Sequence, residues 1–162
     1  MPHIHEKIDF GVETFIVHRG KVFLRKHDKY GIWLTAGGHV ELDEDPNEAA
    51  VREAKEEAGL DIVLRGDRPE FVSDDPSFDS RSLVPPRYMQ RHHTEPTHEH
   101  IVFIYFASTK SDHVAPQADG DRSDEWRWFT EEELRDSKWH IRPDIQLYAT
   151  EALKAAIMEQ WQ

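Results

Sequence analysis

The chain of 162 residues contains no cysteine. That excludes disulfides, thiolate metal sites and a cysteine nucleophile, although it does not by itself fix a compartment. No apolar run approaches the roughly 18 residues of a membrane span. The first ten residues, MPHIHEKIDF, lack a basic region followed by an apolar stretch, so they predict no secretory signal, and the cytoplasm is the default expectation. Positive charge is scarce as well: 20 Lys and Arg stand against 32 Asp and Glu, a net charge of −12. Such a chain offers no broad basic surface to duplex nucleic acid. It also repels free polyphosphates, so admitting a diphosphate would take a bound divalent cation and a few local Arg and Lys.

What is present suits a globular protein, with 38% hydrophobic and 32% charged residues. The length fits one domain over residues 1–162, and the sequence shows neither an internal repeat nor a linker. The most ordered pattern runs from Gly38 to Leu60, GHVELDEDPNEAAVREAKEEAGL. Asp45 fits an N-cap, Pro46 the first helical position and Glu48 a capping box. Gly59 suits the left-handed residue after a helix end, so the spacing predicts a helix over 46–58. At about 100° per residue, Ala50, Val51, Ala54 and Ala58 share one face, small enough for close approach to a sheet. Glu53, Glu56 and Glu57 share a neighbouring arc, with Arg52 one turn before Glu56. Three carboxylates so close repel one another unless a hard cation sits among them, and their oxygens suit Mg²⁺ or Mn²⁺. A run such as REAKEE taken alone is more often a solvated helix face. The capped helix weighs against that, as does the family resemblance that Gly38 and Glu44 complete.

Gly38, Glu44, Arg52, Glu53, Glu56, Glu57 and Gly59, closed by Leu60, resemble the Nudix signature GX5EX7REUXEEXGU at every fixed position. Seven fixed positions agree by chance in about one window in a billion. One slot departs, Ala54, where the family carries a larger aliphatic residue. A second departure is Ala36, where a Pro commonly stands. The resemblance implies a mixed-sheet α/β fold, the α/β/α sandwich of the Nudix type. It implies metal ligation by Glu53, Glu56 and Glu57 with the Gly38 carbonyl, and an Arg52 that orients the catalytic carboxylates. Glu41, in the resembling GGHVE segment, is a further candidate ligand.

Along the rest of the chain, residues 10–17 and 21–25 read as strands joined at Arg19-Gly20. The paired Gly37 and Gly38 mark close backbone approach or an unusual turn. Residues 61–64 read as a strand and 70–73 as another. Residues 74–99 carry Pro76, Pro85, Pro86 and Pro96, too many for a helix or inner strand, and read as a lid or specificity loop. Arg87 and Arg91 there are candidate phosphate contacts and Tyr88 a base-stacking ring, with Trp33 and Phe78 as further aromatic candidates. The histidine cluster of His92, His93, His98 and His100 is a candidate metal site, but these read rather as solvated loop histidines, because no tight ligand spacing lies on one element. Residues 100–108 form the most apolar run and predict a central strand. Residues 110–124 read as a loop and 125–129 as a strand. Thr130 with Glu133 forms a second capping box, and Pro143 starts a last helix with Ile145, Tyr148, Ala149, Ala152 and Ala156 inward.

The chemistry implied by the resemblance is hydrolysis of a nucleoside diphosphate linked to another group, by water attack at phosphorus. A nucleoside di- or triphosphate is the first expectation and a nucleotide sugar the second. The general base stays open between Glu56 and a later acid, Asp121 or Glu125. A small-molecule nucleotide is the expected partner, with neither duplex nucleic acid nor membrane, and a homodimer is left open. Two rivals remain. An isoprenoid diphosphate isomerase shares the fold but uses a Cys that this chain lacks. A non-catalytic nucleotide-binding domain tends to lose signature glutamates that this chain keeps.

Overall fold

The computed structural model describes residues 7–27, 30–68, 70, 71, 75, 77, 80–117 and 125–161. Its frame is a mixed eight-stranded sheet. Strands β1 (Ile8–His18) and β2 (Lys21–His27) form a hairpin whose two-residue loop, Arg19 and Gly20, holds φ of 46° and 75°. Two left-handed residues match the twist of the flanking strands. β3 (Ile32–Leu34) pairs with β2, and β4 (Ala36–His39) pairs with β1, both antiparallel. Helix α1 (Pro46–Ala58) follows, then β5 (Ile62–Arg65), β6 (Tyr88–Glu95) and β7 (His98–Thr109). β7 lies parallel to β1 from Ile8–Glu99 to Val17–Ser108, and takes β5 and β6 antiparallel. β8 (Trp126–Phe129) pairs with β2, and α2 (Glu131–Arg135), a 3₁₀ turn and α3 (Pro143–Met158) complete the chain.

Alternation along the strands sends side chains to two cores. Phe15 and Val17 join Val102, Ile104 and Phe106 against Ile145, Ala149, Ala152 and Leu153 of α3. Ile16, Phe23, Ala36 and Ala107 face Ala54 and Ala58 of α1. With a helix on each face, the molecule is the expected α/β/α sandwich. The small Ala54 fits the close approach. Asp45 caps α1 with its side chain, and both arms of the Asp45–Glu48 capping box are formed.

Two expectations are corrected and a third is narrowed. Val51 is 44% exposed, while Glu53 and Glu57, at 4% each, take its place on the buried side of α1. The helix is rotated because its sheet-facing side meets glycines with room for carboxylates. Gly37 and Gly38 do mark the expected close backbone approach, within β4 rather than in a turn, and a Cβ on Gly37 would collide with the Val12 carbonyl. The stretch 74–99 is not one loop. Tyr88–Glu95 is a strand and His98 opens β7, because the prolines mark the strand's ends: Pro85 and Pro86 precede it and Pro96 sits in the turn. Upstream of β6 the chain is strapped to α1, where Asn47 Nδ2 donates to the Val84 carbonyl at 2.9 Å and Val84 N–H to Asn47 Oδ1 at 2.8 Å. Glu70 and Phe71 are not in a strand, and residues 72 and 73 lie outside the described residues, as do Phe78 and Asp121.

The C-terminal end of α1 is latched from a distant segment. Ala115 N–H donates to the Ala58 carbonyl at 2.9 Å and Gln117 N–H to the Glu56 carbonyl at 2.8 Å. Gly59, at φ 69°, lets this segment in, since a Cβ there would collide with the Ala115 carbonyl. Gly59→Ala should therefore lower stability by about 2 kcal/mol or more, from left-handed strain plus displacement of the latch. Urea midpoints check this, and a change below about 0.5 kcal/mol would remove the latch as a stabilising contact.

Candidate metal-binding active site

The seat of α1 on the β4 glycines turns Glu53 and Glu57 toward that strand, with Arg52 and the more exposed Glu56 beside them. Gly38 on β4 faces Glu53 so closely that any Cβ would collide with its carboxylate. Arg52 ties the cluster together. Its Nη1 donates to Glu53 Oε1 at 2.9 Å and Glu56 Oε2 at 3.2 Å. Its Nε and Nη2 grip Glu44 at 3.0 and 2.6 Å, and Nη2 also donates to the His39 carbonyl at 3.0 Å. These bonds, Glu44's first, push the guanidinium further above its already high range. Burial alone would raise the Glu44 carboxyl, but the Arg52 bonds outweigh it and hold the group below its ordinary value. For Glu53 the balance reverses: burial raises the carboxyl, and Arg52 only partly offsets it.

Glu57 is held differently. It accepts from Gly37 N–H at 2.9 Å and pairs with Arg25, itself only 4% exposed. The sequence reading missed Arg25. Its signal is position: in KVFLRKH, Arg25 has the parity of Phe23, the residue that β2 turns toward α1. Glu44, Glu53, Glu56, Glu57, Arg25, Arg52 and Gly38 thus form one connected cluster.

Other candidates stand apart from it. Glu41 is exposed in the turn after β4, where its N–H donates to Glu44 Oε1 at 2.9 Å. Glu125 is exposed and pairs with Lys26 at 2.8 Å. Arg87 forks onto both Glu159 oxygens, at 2.7 and 2.6 Å, tying β6 to the end of α3. Tyr88 packs its ring 5.2 Å from that of Tyr148, and Arg91 pairs with Glu99 on β7. Trp33 is 4% exposed and meets Phe129 and Trp139 edge-on, a core ring rather than a pocket wall. The histidines expected in a loop lie on β6 and β7, where cross-strand pairing, invisible to sequence spacing, gathers His92, His98 and His100 beside Asp9 and His39. Burial first, then these neighbouring rings, push His100 down to about 4.

Two cavities flank the glutamates. The larger, about 840 Å³, lies outside α1 under the 81–84 strap and touches Arg52 and Glu56. Its polar rim is already engaged: Arg81 pairs with Asp45 and Glu48. The smaller, about 190 Å³, opens on the sheet between Gly37, Gly38, Arg25 and His27. Glu13 lines it, with Oε2 shut off from solvent and no hydrogen-bond partner among the described residues. Burial, reinforced by Asp144 and opposed by Arg142, pushes its carboxyl up to about 7.

A glutamate-bearing helix laid on a glycine strand, in an α/β/α sandwich, defines a Nudix-type domain. The NUDIX domain family model matches residues 10–149. A NUDIX-family hydrolase from Clostridium perfringens is 37% identical with a TM-score of 0.77, over 90% of this chain and 96% of that one. The chain belongs to the NUDIX family. A MutT NUDIX hydrolase from Burkholderia pseudomallei, at 21% identity and TM-score 0.60, covers 92% of this chain and 98% of its own and shares the fold. An Escherichia coli protein named CTP pyrophosphohydrolase is 41% identical over 57 residues, 33% of this chain and 42% of its own length. An RNA pyrophosphohydrolase from Gluconacetobacter diazotrophicus is 44% identical over 46 residues, 28% of each. The chain thus spans less than half the length of these two relatives. Among the described residues no helix is long and apolar enough to cross a membrane.

Glu13 makes stability depend on pH. Between about pH 4.5 and 7 the folded chain keeps a proton that the unfolded chain releases, so its contribution falls as pH rises through that window and is flat above it. Glu13→Gln should match the parent near pH 4.5 and exceed it by up to about 3 kcal/mol at pH 8. Urea midpoints at the two pH values decide, and an equal offset at both would place the proton elsewhere.

Proposed function

We propose that the chain is a metal-dependent pyrophosphohydrolase that cleaves a nucleoside diphosphate linked to another group, with water attacking phosphorus. The observation that carries this reading is the charge count of the cluster. Four carboxylates, Glu44, Glu53, Glu56 and Glu57, meet two guanidiniums, Arg25 and Arg52. The excess of two negative charges is what one divalent cation neutralises. The donor set is all oxygen, as Mg²⁺ or Mn²⁺ prefers, and the missing side chain of Gly38 is what lets the Glu53 carboxylate lie against β4. Glu53, Glu56 and Glu57 would hold it, with the Gly38 carbonyl as a further ligand. Bound there, the ion supplies charge neutralisation for the phosphate oxygens.

The chain's own residues do the rest. Arg52 holds Glu53 and Glu56 together through one Nη1, and Glu44 fixes Arg52. Arg25 and Gly37 N–H hold Glu57. Glu56 has the most open carboxylate of the cluster, with 38% of its side chain exposed, and is our choice for the base that takes the water proton. Glu125 is paired with Lys26 and ranks below it. The sheet cavity beside Gly37 and Gly38 is the proposed nucleoside pocket, with Glu13 and His27 as its polar contacts. Relatives named for CTP and RNA pyrophosphohydrolysis support a phosphoric anhydride as the bond cleaved. Which nucleoside or nucleotide sugar fits is a matter for a substrate panel.

Glu56→Gln should lower kcat at saturating Mg²⁺ by roughly a hundredfold or more. Its melting temperature in chelator should stay at or above the parent's, because a like charge is removed. Glu57→Gln should also lose turnover, but at a cost of about 2–3 kcal/mol in stability, because buried Arg25 loses its counter-charge. Glu48→Gln is the control, since a capping box accepts either residue. Hydrolysis is assayed on nucleoside triphosphates and nucleotide sugars in ¹⁸O-water, with the label located by mass. Parent-like turnover of both cluster variants would end this reading.

A further inference from the structure

On the sheet face that packs against α3, four neighbouring strands bring polar side chains together. Asp9 of β1 stands in register with His100 of β7, and His92 of β6 lies on the other side of His100. His98 is two residues from His100 and so shares its face. His39 of β4 pairs with Gly11, two residues from Asp9, and falls on that face too. Asp9 is fully buried and His98 is 4% exposed. None of these side chains belongs to the glutamate cluster on α1, although His39, His92 and His100 also line the sheet cavity beside Gly37 and Gly38.

The atoms that converge are ligand atoms. Asp9 Oδ2 is 3.2 Å from His98 Nε2 and 3.6 Å from His39 Nε2. His39 Nε2 is 3.3 Å from His100 Nε2. One ligand atom each from Asp9, His98 and His100 falls within a mutual 4.8 Å. A tetrahedral shell with bonds of about 2.0–2.1 Å separates its ligand atoms by about 3.3–3.4 Å. The three short separations, half of the six edges of such a shell, bracket that length, and His39 reaches the Asp9, His98 and His100 group through Asp9 and His100. Two imidazole Nε2 atoms facing each other, one of them also facing a buried carboxylate, is an arrangement that a shared cation suits, because each atom offers it a lone pair.

We propose that Asp9, His98 and His100 form a structural site for a transition-metal dication of the Zn²⁺ class, with the adjacent His39 imidazole as the fourth ligand of a tetrahedral shell, distinct from the hard-cation site on α1. Three imidazoles and one carboxylate select Zn²⁺ over Mg²⁺, which favours an octahedral shell of oxygens. Four protein ligands close the shell, so the ion has no open position for chemistry. Its work is to join β4, β1 and β7. Through His39 it also steadies the active cluster, because the His39 carbonyl accepts from Arg52 Nη2 at 3.0 Å and Gly38 is the next residue along β4.

The test uses the full chain without a histidine tag, stripped with chelator and dialysed against Co²⁺ in excess Mg²⁺. The expected result is one equivalent of Co²⁺ with the intense visible absorption of tetrahedral coordination, displaced by Zn²⁺, and a higher melting temperature when loaded. His39→Gln and His100→Gln should each weaken binding by more than the tenfold to hundredfold typical of a lost supporting contact, while Glu56→Gln leaves it unchanged. His39 is partly exposed, so His39→Gln carries the comparison if His100→Gln fails to fold. The proposal is overturned by absence of bound Co²⁺, by the weak spectrum of octahedral coordination, or by binding that follows Glu56→Gln rather than the histidines. The spectrum of the parent protein decides the coordination even without the variants. Because that spectrum requires no substrate, its outcome is separate from whether the chain hydrolyses anhydrides.

Discussion

The contact between α1 and β4 is the constraint on which the rest of the molecule turns. A helix carrying glutamates can lie this close to a strand only where the strand has no side chains, and Gly37 and Gly38 provide that place. Given the contact, Glu53 and Glu57 are forced inward, and buried carboxylates need partners. Arg52 comes from the same helix and Arg25 from β2 across the sheet. The Asp45 cap and the Gly59 latch set the two ends of the helix. Fold and site are therefore one arrangement: the packing that builds the sandwich is also what concentrates negative charge.

That concentration is asymmetric in a useful way. Glu57 and Glu44 are each held by a guanidinium, and Glu53 is pushed toward its neutral form by burial. Glu56 shares only one arm of Arg52 and keeps much of its side chain in solvent. Neighbouring carboxylates on one helix thus receive different environments, and the role proposed for Glu56 rests on its being the most open of them.

Much of this was legible in the sequence, for local reasons. Capping residues, glycine positions and the glutamate spacing are properties of consecutive residues, so the bounds of α1 and the glutamate set follow from them. The mixed sheet was expected from the resemblance to the Nudix signature rather than from any local pattern. The illegible parts all depend on pairing between distant strands. Val51 was placed inward because an apolar residue on a helix normally is, and the glycines opposite the glutamates reversed that. Arg25 read as an ordinary strand residue until β2 was seen to face α1. The histidines of β6 and β7 looked like loop residues because proline density hid a strand whose ends, not interior, carry the prolines. Their proximity to Asp9 and His39 comes from three separate strand pairings.

The parallel pairing of β1 with β7 carries a consequence for how the chain assembles. The hydrogen bond from His18 to Thr109 closes a separation of 91 residues. By contrast, β1, β2, β4 and α1 all lie within residues 8–58 and join through near neighbours in sequence. Local contacts form before distant ones repay their loop-closure entropy. The glycine strand and its glutamate helix can therefore come together early, as a half-sheet whose β1 edge is still open. Folding then waits on one slow event, the docking of β7 along that edge. Until it occurs, β1 exposes a long row of unpaired backbone N–H and C=O groups beside apolar side chains, which makes this interval the time when the chain is most exposed to association with its own copies.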